Sequence, residues 1–135
     1  MTSKKMILRP KIALYEPDIP QNTGAIIRTC SCFDVTIEII EPCGFMLNDK
    51  RFKRVVMDYM DNKIIKTYKS FNEFIKNKKQ SRVILMTTKA KKNFFDFSFN
   101  KNDTLLFGRE SAGVPINLHN KFKYKLKIPM MSNKR

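Results

Sequence analysis

Two glycines bracket an arginine, a carboxylate and a serine in Gly108-Arg109-Glu110-Ser111-Ala112-Gly113. The stretch follows the apolar run LLF at 105–107 and precedes Val114-Pro115. Glycine lets main-chain N–H and C=O groups approach a ligand with no side chain in the way. The charged and hydroxyl groups between them suit polar anchoring of that ligand. A tight turn with solvated charges accounts for the same residues. A second constellation is Gly24, Arg28 and Ser31, spaced four and three apart. On a helix this spacing makes a stripe of small residues around one guanidinium. It lets another surface come close to Arg28, and an ordinary solvent-facing arginine is the competing reading. His119 is the only histidine, so a His-based triad and a zinc site both lack parts. Cys30 and Cys32 are too close in sequence to pair well, and with Cys43 they read as small apolar fillers.

The elements that must hold these residues follow from the periodicity. KIALY (11–15), VTIEIIE (35–41), the segment 63–68 and RVILM (82–86) read as strands, and LLF (105–107) as the end of another up to the glycine turn. Residues 124–128 alternate with lysine and make a last strand. Asn22 or Thr23 is expected to cap a helix running to Phe33, with Pro17 and Pro20 preventing an earlier start. Its core face is expected to be Ile26, Ile27, Cys30 and Phe33, with Gly24, Arg28 and Ser31 opposite. A second helix is expected over 49–60, with Phe52, Val55, Val56 and Tyr59 inward and a basic face outward. Ser70 with Glu73 forms a capping box ahead of a short helix to Lys76. Pro115 opens another over 116–121. Phe94, Phe95, Phe97 and Phe99 crowd one loop, as core packing or as stacking platforms for bases. Strands alternating with helices imply an α/β fold with a largely parallel sheet.

The chain has 135 residues, 42% of them hydrophobic, which suits one domain over 1–135. The net charge of +15 argues for a polyanionic partner, nucleic acid above all. A lysine- and asparagine-rich composition produces the same bias without binding. No run is long and apolar enough for a membrane span, and the first nine residues lack the apolar core of a secretory signal, so a cytoplasmic protein is expected. Neither GxGxxG nor a Walker A loop is present. A DNA-binding module has only the charge in its favour, because no helix-turn-helix or zinc pattern accompanies it.

PQNTGAIIRTC (20–30), IIEPCGF (39–45), LFGRESAGVP (106–115) and KIPM (127–130) together resemble the SpoU branch of the SPOUT RNA methyltransferases. Within that branch they are most similar to the group that 2′-O-methylates the wobble nucleotide of certain tRNAs. The resemblance runs from about Lys11 to the end of the chain, in the same order and spacing. It implies a mostly parallel sheet with helices on both faces and a deep trefoil knot. It also implies a homodimer, tRNA as partner, and S-adenosylmethionine held bent by loops at the strand ends, without a metal. Carried residue by residue, it gives Met86 and its neighbour Thr87, Gly108 and Ile128 as cofactor contacts. It gives Asn22 and Glu110 on the substrate side, and Arg28 as the catalytic arginine. A guanidinium is a poor general base, so gripping a phosphate and orienting the 2′-OH is the role expected of Arg28.

Members of the family continue past the IPM strand into an Arg-Ser-x-Asn segment and a helix, whereas this sequence stops at Arg135. The expectation is a C-terminally shortened chain whose knot is incomplete. Two functions are therefore carried forward: a tRNA ribose 2′-O-methyltransferase, and an inactive relic that binds RNA through its basic surface.

Overall fold

A computed structural model of the chain describes residues 10–45, 50, 52, 54, 65–109 and 111–127. Six strands are present: β1 Lys11–Tyr15, β2 Ile37–Ile40, β3 Ile65–Tyr68, β4 Val83–Met86, β5 Thr104–Phe107 and β6 Tyr124–Leu126. They form one sheet in the order β3-β2-β1-β5-β4-β6, and every pair is parallel. The expected α/β architecture is the one observed. The central strands are apolar nearly throughout because a parallel sheet is covered on both faces. Alternate residues accordingly enter different cores. Ala13, Tyr15, Ile40, Leu85 and Leu106 pack with Phe74 on one face, while Leu14, Ile37 and Ile39 pack with Ile27 and Cys30 on the other.

Helix α1, Pro20–Cys32, covers the second of these faces and α2, Phe71–Lys76, the first. The α1 start corrects the sequence reading. Pro20 occupies the first turn, with Ile19 as the cap residue and no side-chain cap bond. A proline there sacrifices no hydrogen bond, since the first amides of a helix have no partner anyway. The buried face is Thr23, Gly24, Ile27 and Cys30, so Gly24 lies inward and not beside solvent. Phe33 is 70% exposed, because the chain has left the helix there (φ −101°, ψ 7°). Arg28 and Ser31 are half-buried at the margin. Ser70 caps α2 as expected: its Oγ accepts from the Glu73 amide at 3.2 Å, and Glu73 Oε1 accepts from the Lys69 amide at 3.3 Å. Most of the helix expected over 49–60 lies outside the described residues; Lys50, Phe52 and Arg54 are helical, and Phe52 is buried.

Two ion pairs brace the sheet. Glu38 on β2 is buried and lies 2.8 Å from Lys78, just past α2. At the opposite end, Arg82 makes a two-pronged contact with the buried Asp103, at 2.9 and 2.6 Å, and stacks over Phe97 and Tyr124. The Asp103 hydrogen bonds hold that guanidinium above its ordinary pKa. The phenylalanine loop divides. Phe97 and Phe99 pack against the core with Tyr124, whereas Phe94 and Phe95, in the short 3-10 turn Phe94–Asp96, are exposed.

Candidate functional site

The chain turns in opposite directions after β1 and β5, which are neighbours in the sheet. From β1 it goes through α1 to β2; from β5 it goes through α3, Ile116–His119, to β6 beyond β4. This reversal leaves a crevice at the carboxyl ends of the strands, the usual binding place in such sheets.

Three loops meet there. The loop after β5 is closed on itself: the Gly113 amide donates to Arg109 O at 2.8 Å and the Arg109 amide to Gly113 O at 3.3 Å. Gly113 has φ +68°, and a Cβ on Gly108 would lie 2.6 Å from the Gly113 main chain. Both positions therefore require glycine, for different reasons. The loop after β1 is tied to it. Arg109 Nε donates to Glu16 O at 3.0 Å, the same nitrogen is 3.8 Å from Asp18 Oδ2, and Ser111 Oγ donates to Asp18 Oδ2. Sequence reasoning missed Asp18; its ties join residues 93 apart, and no local pattern announces them. Tyr15, just before this loop, has its phenol pKa pushed up by burial and by Glu16, so it stays neutral. The loop after β2 leans on the same place: the Gly44 amide donates to Pro17 O at 2.9 Å, and a Cβ there would meet Asp18 at 2.7 Å.

Between the ends of β4 and β5 lies a cavity of about 360 Å³. Its apolar wall is Leu85, Met86, Phe107 and Val114; its bare main chain is Gly108 and Gly113. Thr87 borders it and is fixed by its amide donating to Leu126 O at 2.9 Å, which ties the β4 loop to β6. Of the residues that the resemblance put at the site, Met86 and Gly108 are brought together here. Asn22 and Arg28 are on α1 and do not line this cavity. Glu110 and Ile128 lie outside the described residues. Among the described residues there is no cluster of three or more metal-ligating side chains, and no helix long and apolar enough to cross a membrane.

Residues 9–135 match the model of the SpoU rRNA Methylase family. The tRNA (cytidine(34)-2′-O)-methyltransferase of Beijerinckia indica is 43% identical over 121 residues, covering 88% of this chain and 76% of the relative. A solved structure concerning 2-OH methylation of C/U34 on tRNA superimposes with a TM-score of 0.86 at 32% identity, covering 95% of this chain and 84% of that one. An AdoMet-bound rRNA methyltransferase from Sinorhizobium meliloti shares the fold, with a TM-score of 0.80 at 21% identity, over 94% of this chain and 49% of that one.

Proposed function

The chain belongs to the SpoU methylase family, and we propose that it transfers a methyl group from S-adenosylmethionine to the ribose 2′-OH of a tRNA wobble nucleotide, as a single-domain unit that pairs with a second copy in the cytoplasm. The observation that carries this reading is the cavity at the ends of β4 and β5. Its size falls within the range for small-ligand pockets, roughly 300–1,000 Å³. The bare Gly108–Gly113 main chain fits the polar edge of an adenosine, and Leu85, Met86, Phe107 and Val114 fit its faces.

When bound, S-adenosylmethionine supplies a methyl group on an electron-poor sulfur, open to in-line displacement. The protein's share is then position and exclusion of water. Met86, Gly108 and Ile128 hold the donor. Asn22 and Glu110 orient the ribose. Arg28 grips a substrate phosphate and aims the hydroxyl; a guanidinium has no lone pair to take a proton, so the proton passes to a phosphate oxygen or to solvent. Because Arg28 does not line its own chain's cavity, pairing of two copies through α1 is the arrangement that brings the arginine of one to the donor of the other. Exposed Ile19 and Phe33, at the two ends of α1, support that contact.

The test is incubation of the purified protein with a tRNA transcript and isotope-labelled S-adenosylmethionine, followed by mass spectrometry of the nuclease digest. A 2′-O-methylated nucleoside at position 34 is expected. No transfer, or transfer to a base, refutes the proposal; tRNA binding without any transfer leaves an RNA-binding relic.

A further inference from the structure

A second cavity, of about 500 Å³, adjoins the first and is bordered by five lysines. Lys89, Lys91 and Lys92 come from the loop after β4, and Lys123 and Lys125 from the start of β6. Among the described residues no aspartate or glutamate borders it. Clustered ammonium groups repel one another, and an anion set between them removes the repulsion. The two lysine-bearing segments are held in register by main-chain bonds: the Lys127 amide donates to Lys92 O at 2.8 Å, and the Phe94 amide to Lys127 O at 2.9 Å. Phe97 and Tyr124 supply aromatic wall between the charges.

His119 borders this cavity as well. Both of its ring nitrogens are shut from solvent and have no hydrogen-bond partner among the described residues. An imidazole in any state carries at least one N–H to donate, and a shielded donor left unpaired is uncommon. Lys125 Nζ donates to the His119 carbonyl at 3.3 Å, tying the histidine to the lysine cluster. His119 and Lys89 also line the cavity between β4 and β5, so the two hollows share a wall.

We propose that the lysine cavity binds backbone phosphates of the RNA substrate. Through the shared wall it fixes which ribose along the strand reaches the methyl donor. A flat lipid surface does not fit a concave site, whereas the phosphates of a single strand do. The inference rests on the RNA methyltransferase reading and adds to it the path of the strand.

Lys91, Lys92 and Lys123 border the lysine cavity and not the one between β4 and β5, so K91Q/K92Q/K123Q is the test variant. K69Q/K76Q/K79Q removes the same charge from exposed positions at and beyond the two ends of α2. tRNA binding is followed by fluorescence anisotropy against salt, S-adenosylmethionine binding by calorimetry, and methylation by steady-state kinetics. Each phosphate contact on a single strand contributes about 0.7 to the slope of log K against log salt. The cavity variant is expected to lose a slope of about 2 and to raise KM for tRNA at least tenfold, with cofactor affinity unchanged. The control variant is expected to lose less than half as much slope. Equal losses in the two variants, or no tRNA binding by the wild-type chain, overturn the proposal. Selective loss of binding in a protein that methylates nothing keeps the phosphate site and refutes the enzymatic reading instead.

Discussion

Replacing Gly108 by alanine asks the turn after β5 to accept a carbon that has no room. The new Cβ would lie 2.6 Å from both Cα and C of Gly113 and 2.9 Å from the Val114 nitrogen. Ordinary contact begins near 3.4 Å, so the shortfall, 3.4 less 2.6, is 0.8 Å. All three neighbours are main-chain atoms, and no side chain can swing aside to make space. Forced packing of this kind costs about 1–3 kcal/mol. At about 3 °C per kcal/mol for a chain of this size, the melting temperature should fall by roughly 3–9 °C. The turn that must move is also the polar wall of the cavity between β4 and β5, so affinity for S-adenosylmethionine should drop at least about tenfold, or roughly 1.4 kcal/mol. Gly113→Ala separates the two effects. A Cβ there meets nothing within 4 Å, but φ +68° makes it strained by about 1–2 kcal/mol. It should lower the melting temperature and keep more of the affinity. Differential scanning calorimetry and calorimetric titration read both quantities. A G108A protein with wild-type melting and wild-type affinity would refute the assignment of this turn as the cofactor wall.

Three further outcomes are expected. Arg82→Ala strands the buried Asp103 carboxylate and should destabilise by about 3 kcal/mol in urea unfolding, whereas a surface arginine would change almost nothing. Lys78→Met should cost about as much by leaving Glu38 buried and unpaired, while the double variant Glu38→Met/Lys78→Met should return to within about 1 kcal/mol of wild type; a double variant no better than the single one would mean the pair contributes more than mutual neutralisation. Burial raises the pKa of the Cys30 thiol, so less thiolate is present at pH 8, and Cys32 is exposed. Iodoacetamide should label Cys32 in the native protein and Cys30 only after unfolding, as peptide mass spectrometry would show.

The strands were legible because a parallel sheet buried on both faces needs short β-branched and apolar runs, and KIALY and RVILM are such runs. Ser70 and Glu73 were legible because a capping box is written within four residues. The α1 face was misread for a physical reason. Gly24 has no side chain to declare its hydrophobicity, so a periodicity count places it with the polar residues. The helix buries it all the same. Phe33 errs in the other direction: it continues the apolar spacing, but the helix has already ended at Cys32. Glu38 reads as one residue of an ordinary strand, and nothing nearby reveals a lysine forty positions on as its partner.

The site shows the same division between local and distant information. Glycines at 108 and 113 announce a turn in the sequence itself, and the cavity they border is where a sequence reader would look for it. What makes that turn rigid is remote: Arg109 and Ser111 fasten to Glu16 and Asp18, and Gly44 packs onto Asp18 from a third loop. Three loops that follow β1, β2 and β5 thus share one acidic residue at the point where the sheet reverses direction. A donor wall built from bare main chain has no side chain of its own to hold it in place. Its geometry depends on that fastening, which makes Asp18 a positioning residue for the site although it does not line the cavity. Arg28 poses the opposite case. The family resemblance made it the catalytic candidate, yet one chain alone leaves it off the cavity wall. With the proposed pairing through α1, the chemistry assigned to it should vanish from a monomeric variant whose cofactor cavity still binds.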